Sequence, residues 1–295
     1  MVQSYPKSFN SVARLADKIN TDFTRDDEKA RAIFTWIATN VKYDLAAYTI
    51  AERPVAYSFR TQEEKMAKER KFKDDLAIKT LKTRKGVCQG YATLFESLAQ
   101  SVGLEAVIIP GTSKSHPTHI GKAPGASDHA WNAVKINGQW KLLDVTWGAG
   151  TVTGEPLKFD FRFNDGYFFT SPDDFVLNHY PDNEKWLLTN ADKDDFASFP
   201  LYYGSYLMEG FRFMAPGRGL VAYTVAGTVP FKIKNLKPGD RIAYRFTKDP
   251  AFKEVQPKQD GDVAEFEIPL GSNTGGYLTV YINQRSVASY RIVKS

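Results

Sequence analysis

Asn137-Gly138 stands between two strand-like runs, Asp128 to Ile136 and Gln139 to Trp147. Both central residues of a two-residue type I′ turn need positive φ, which this dipeptide tolerates best, so the runs are predicted to form an antiparallel hairpin. A two-residue turn also sets the register. Opposed residue numbers then sum to 275, His129 faces Thr146, and Trp131 faces Asp144. Residues 129, 131, 144 and 146 share one face of the ribbon, with His129 and Asp144 diagonal neighbours about 7–8 Å apart at the backbone. A slip of one residue would carry Asp144 to the other face. The plain alternative is a satisfied, half-buried histidine and an aspartate bonded to a turn.

An imidazole with a carboxylate beside it suits a base, and upstream lies a nucleophile for it. Tyr91/Ala92, Leu94/Phe95, Leu98/Ala99 and Val102 follow helical spacing and end at Gly103, a natural residue beyond a helix C-terminus. Cys88 therefore begins a helix. A lone cysteine is more often an inert small hydrophobe. Here, however, unpaired N–H groups and the positive end of the helix dipole favour the thiolate, and Gly86 and Gly90 permit close backbone approach. The same amides could receive an oxyanion. Cys88 is the only cysteine, so an intrachain disulfide, a thiolate-built zinc site and an iron–sulfur cluster are all excluded.

Elsewhere the reading is coarser. Phe9, Val12, Leu15 and Ile19 fall on one helical face. A second helix carries Ala30, Ile33, Phe34, Ile37 and Val41, with Thr24 and Asp27 in a capping-box pattern before it. Residues 61–85 read as an exposed helix or ordered loop, Ala106 to Ile109 as a short buried strand, and 111–127 as a loop; residues 148–195 give no clear pattern. His116 and His119 in that loop lack a carboxylate third ligand, and no calcium loop is found, so neither metal nor cofactor is expected. After about residue 200 short runs (Val221 to Val225, Phe231 to Ile233, Arg241 to Phe246, Val263 to Ile268, Tyr277 to Ile282, Val287 to Val293) recur between turn residues. They predict a small Ig-like β-sandwich. The expected domains are thus 1–198, α+β, and 199–295, all-β.

The net charge of +5 lies wholly in residues 200–295, which hold 13 Lys+Arg against 8 Asp+Glu. It is interspersed, so a solvated basic surface is expected rather than a nucleic-acid footprint. No apolar run reaches the ~18–20 residues of a membrane span, and no leader pattern opens the chain. The expectation is a soluble protein, cytoplasmic as written, or exported if a leader was removed before Met1.

The segments RAIFTWIATNVKYD, GVCQGYATLFESLAQSVGLEA and HAWNAVKINGQWKLLDVTW resemble, in order and spacing, three blocks of the transglutaminase-like superfamily. This papain-related group includes transglutaminases, peptide N-glycanases and kyphoscoliosis-peptidase-type proteins. YFFTSPDDFVLNHYPDNEKWLL, residues 167–188, is similar to the segment after the core in kyphoscoliosis-peptidase-like members, and its His179 reads as structural. The resemblance covers about residues 10–190. It implies a papain/transglutaminase-like core with Cys88 as nucleophile, His129 as base and Asp144 as its orienter. It further implies an oxyanion or cleft role for Tyr43, the alternative being plain packing, with Gln89 and Trp131 as weaker candidates; Trp131 and Trp147 flank the hairpin and read as core or cleft walls rather than catalytic groups.

The implied activity is thiol-dependent acyl transfer on peptide or protein amides through a thioester. Water resolving it makes a cysteine peptidase or amidase. A lysine amine makes a transglutaminase, and a fold kept without turnover makes a protein-binding module. The expected partner is a protein or peptide substrate, with a protein or glycan contact through the C-terminal domain open.

Overall fold

The computed structural model describes residues 1–49, 58–223, 227–271 and 274–294. The chain divides into two compact units, 1–110 with 129–171, and 111–128 with 172–295. In the first, α1 (Val12–Asp22), α2 (Asp26–Asn40), β1 (Lys42–Tyr43), α3 (Leu45–Thr49), α4 (Gln62–Thr83), β2 (Lys85–Gly86) and α5 (Cys88–Ser101) precede β3 (Ala106–Ser113). Then come β4 (His129–Ile136), β5 (Gln139–Leu143), α6 (Val145–Ala149), the hairpin β6 (Gly150–Thr153) and β7 (Lys158–Phe161), and β8 (Phe168–Thr170). The sheet order is β8-β5-β4-β3.

α5 is the central element, in contact with α1, α2, α4 and β4. Its Tyr91, Leu94, Phe95, Leu98 and Ala99 are fully buried. At about 1.5–3 kcal/mol per buried large apolar side chain, burial outweighs the roughly 1 kcal/mol that the internal Gly90 costs. The helix ends as expected, with Gly103 at φ +89° and the Leu104 amide donating to the Ala99 carbonyl at 2.8 Å. α1 starts later than its apolar spacing suggests. Ser11 caps it through the Arg14 amide, and Phe9 lies outside the helix, edge-on to Trp36 with centroids 5.7 Å apart. The Thr24 capping box does not form: Arg25 is the N-cap of α2, and Asp27 pairs with its guanidinium at 2.6 Å instead. Residues 62–83 are a helix, exposed for most of its length and buried at Ala77, Thr80 and Leu81.

In the second unit Gly111–Ser113, the continuation of β3, pairs antiparallel with β9 (His179–Pro181). α7 (Pro172–Phe175), α8 (Lys193–Ser198), β10 (Leu201–Tyr202) and α9 (Gly204–Glu209) lead into β11 (Arg212–Ala215), β12 (Leu220–Tyr223) and β13 (Gly227–Lys234). β14 (Ile242–Phe246), β15 (Asp249–Val255), β16 (Lys258–Asp260), β17 (Val263–Leu270), β18 (Gly276–Ile282) and β19 (Arg285–Lys294) complete it. One sheet runs β10-β19-β18-β14-β15 and the other β11-β13-β17-β16, the predicted sandwich. Alternate residues of β13, β14 and β17 fill its core; the cross-strand pair Phe231 and Phe266 stacks at 5.1 Å, and Tyr290 meets Phe231 edge-on. One pairing departs from an antiparallel scheme, since β12 runs parallel to β19. The predicted strand Val221 to Val225 is a strand as far as Tyr223, and its last two residues lie outside the described ones.

Candidate active site

The hairpin register is as the turn dictates, with Ile136 opposite Gln139 and Asn132 opposite Leu143. Pairing then stops. The second run was expected to remain a strand to Trp147; instead Asp144 ends it and N-caps α6, its Oδ1 accepting from the Trp147 amide at 3.0 Å. Asp at this position offers the backbone a local partner, which competes with the ladder. Thr146 therefore lies in α6 rather than opposite His129. Asp144 nevertheless reaches the histidine, because its Oδ2 lies 2.7 Å from His129 Nε2. Both carboxylate oxygens are thus occupied, one orienting the aspartate and the other orienting the imidazole.

His129 opens β4 and is buried. Burial alone would push its imidazole down. The Asp144 charge and hydrogen bond outweigh that, Cys88 adds a hydrogen bond in the same direction, and the ring is held above its ordinary 6.5. With Nε2 engaged by Asp144, Nδ1 is the nitrogen left to meet the thiol. The rings of Trp147 and Trp131 flank the imidazole at centroid distances of 5.4 and 6.0 Å, and Trp147 in turn packs edge-on to Tyr167. Trp131 is buried and Trp147 half-buried.

Cys88 is the first residue of α5 and is half-buried. The chain reaches it through β2, which pairs in parallel with β1 so that Tyr43 lies opposite Gly86. Tyr43 is half-buried there, its ring 6.3 Å from Phe159 and 6.5 Å from Tyr91. Gln89 turns its amide along the helix, donating to Thr93 Oγ1 at 3.2 Å. Gly86 and Gly90 are small because Thr80 of α4 presses on them; a Cβ at Gly90 would lie 2.8 Å from Thr80 Oγ1.

One positioning residue escaped the sequence reading. Asn132, fully buried on β4, donates to the Ala92 carbonyl of α5 at 3.0 Å and the Val107 carbonyl of β3 at 3.1 Å. It ties the helix that carries Cys88 to the strand that carries His129. The available signal was a lone amide in the otherwise apolar run Ala130 to Val134. Two of the remaining histidines, His116 and His119, bond within their own loop, to Thr118 and to the Ser115 amide.

A family profile described as the transglutaminase-like superfamily matches residues 13–145, which span α1 to the start of α6. Residues 13–145 are a transglutaminase-like domain. Among curated relatives, human kyphoscoliosis peptidase is 36% identical over 178 residues, covering 60% of this chain and 23% of its own length. The mouse kyphoscoliosis peptidase is 32% identical over 216 residues, with 72% and 30% covered. A LIM and transglutaminase domain protein of Caenorhabditis elegans is 27% identical, with 95% and 40% covered. The chain therefore spans less than half the length of each of these relatives. No helix among the described residues is long and apolar enough to cross a membrane.

Proposed function

We propose that this transglutaminase-like domain carries out thiol acyl transfer on peptide or protein amides, with Cys88 as nucleophile, His129 as acid and base, and Asp144 as orienter. The observation that carries this reading is the 2.7 Å bond between His129 and Asp144, with Cys88 hydrogen-bonded to the same imidazole from the first turn of α5. The thiolate attacks the amide carbonyl carbon, and the oxyanion is met by backbone amides at the start of α5, with Tyr43 beside them. As the C–N bond breaks, the His129 imidazolium gives its proton to the leaving amine. The thioester is then resolved by water, from which His129 takes a proton, releasing a carboxylic acid and restoring the thiolate.

Hydrolysis is preferred over transfer to an amine because the relatives at 36% and 32% identity are named peptidases. The test is a peptide mixture incubated with the protein and read by mass spectrometry, with and without a primary amine. New C-termini that vanish in Cys88→Ala support the reading. Amine adducts without cleavage would move it to transamidation, and no Cys88-dependent product would overturn it.

A further inference from the structure

A cavity of about 520 Å³ opens in the first unit beside the candidate nucleophile. Val87 and Gln89, the residues on either side of Cys88, form part of its wall together with Gly86 and Gly90. Neighbouring Cα atoms are 3.8 Å apart, so a chain whose carbonyl sits at Cys88 has its adjoining residues within reach of this space. Ala47, Phe72 and Leu76 add apolar lining.

The charged lining is Asp44, Lys79 and Lys85. Asp44 is already engaged, accepting from the Ala47 amide at 3.2 Å. The two lysines are not. Four other lysines of α4 each meet a carboxylate: Lys65 with Glu69, Lys68 with Glu64, Lys71 with Asp75 and Lys73 with Glu96. Lys79 and Lys85 meet none among the described residues, and both are exposed. Lys82 and Arg84, which lie between them in sequence, are likewise without an ion pair there. A cavity with apolar lining and two unpaired lysines against the single carboxylate of Asp44 is complementary to a short aliphatic stem ending in a carboxylate.

We propose that this cavity binds an acidic side chain, Glu or Asp, of the polypeptide whose carbonyl is presented to Cys88. The inference rests on the acyl-transfer reading for its location, but its test needs no turnover. In the Cys88→Ala protein, the binding of fluorescein-labelled Ala-Glu-Glu-Ala-Ala is compared by anisotropy with that of the Gln and Lys counterparts. The Glu peptide is expected to bind about tenfold more tightly than the Gln peptide, and to lose that advantage in Lys79→Glu/Lys85→Glu. Lys79→Gln/Lys85→Gln is expected to give a smaller loss in the same direction, which separates lost recognition from a misfolded variant. Lys7→Glu, a charge reversal elsewhere in the unit, is expected to leave the preference intact. Equal binding of the three peptides, or a Glu preference that survives both double substitutions or falls equally in Lys7→Glu, overturns the proposal. Failure of the acyl-transfer reading would appear separately, as absent Cys88-dependent product in the wild-type protein.

Discussion

The His129 imidazole is where opposing physical effects meet most closely. Burial disfavours its charge, and the Asp144 carboxylate and Cys88 favour it. With only four histidines in the chain, ring resonances can be followed one by one. In an NMR titration one of them is expected to lose its proton above the ordinary 6.5, and in Asp144→Asn its midpoint should fall, since burial is then opposed by Cys88 alone. The sign for stability follows from the raised value. The pair's contribution is fully present below the unfolded-state value near 6.5 and is lost as pH rises through the folded one. A midpoint unmoved by Asp144→Asn would mean that the 2.7 Å contact carries no charge. The proximity of His129 and Asp144 was legible from turn parity alone. Its form was not, because Asp144 has a second oxygen that a strand leaves idle and a helix N-terminus uses.

Elements were legible where apolar spacing was dense and obscured where polar contacts decide. α5 has both its start and its glycine stop written in sequence, yet the reason for Gly90 lies on another helix, in Thr80. Gly90→Ala should destabilise the protein by about 1–3 kcal/mol in urea unfolding, and Thr80→Ala should recover much of that by removing the clashing hydroxyl. Additive losses in the double variant would exclude this contact as the cause. β15 escaped the reading because it is an edge strand, outermost in its sheet and exposed from Ala251 to Glu254, so its sequence carries no buried alternation. The capping box at Thr24 misled because an ion pair between Arg25 and Asp27 takes the carboxylate that the box would use.

At the scale of the whole chain, nothing local announced that a lysine would be buried. Lys114 is fully enclosed in the second unit, its ammonium donating to the carbonyls of Phe196 and, at 2.9 Å, Phe199 near the end of α8. Burial pushes it down to about 7 from 10.5. The folded state then binds fewer protons than the unfolded one between these values, so its cost is full below about pH 7 and is relieved as pH rises towards 10.5. Unfolding free energy should rise with pH over this window more steeply in the wild type than in Lys114→Met; parallel curves would refute the assignment. The chain's other singular residue permits the most direct test of the proposed chemistry. Because Cys88 is its only thiol, whole-protein alkylation by iodoacetamide, followed by intact mass, reports one site without background. At neutral pH the wild type should react at least about tenfold faster than His129→Ala, with Asp144→Asn between them. Equal rates in the three proteins would contradict the pairing of thiol and imidazole on which the account depends.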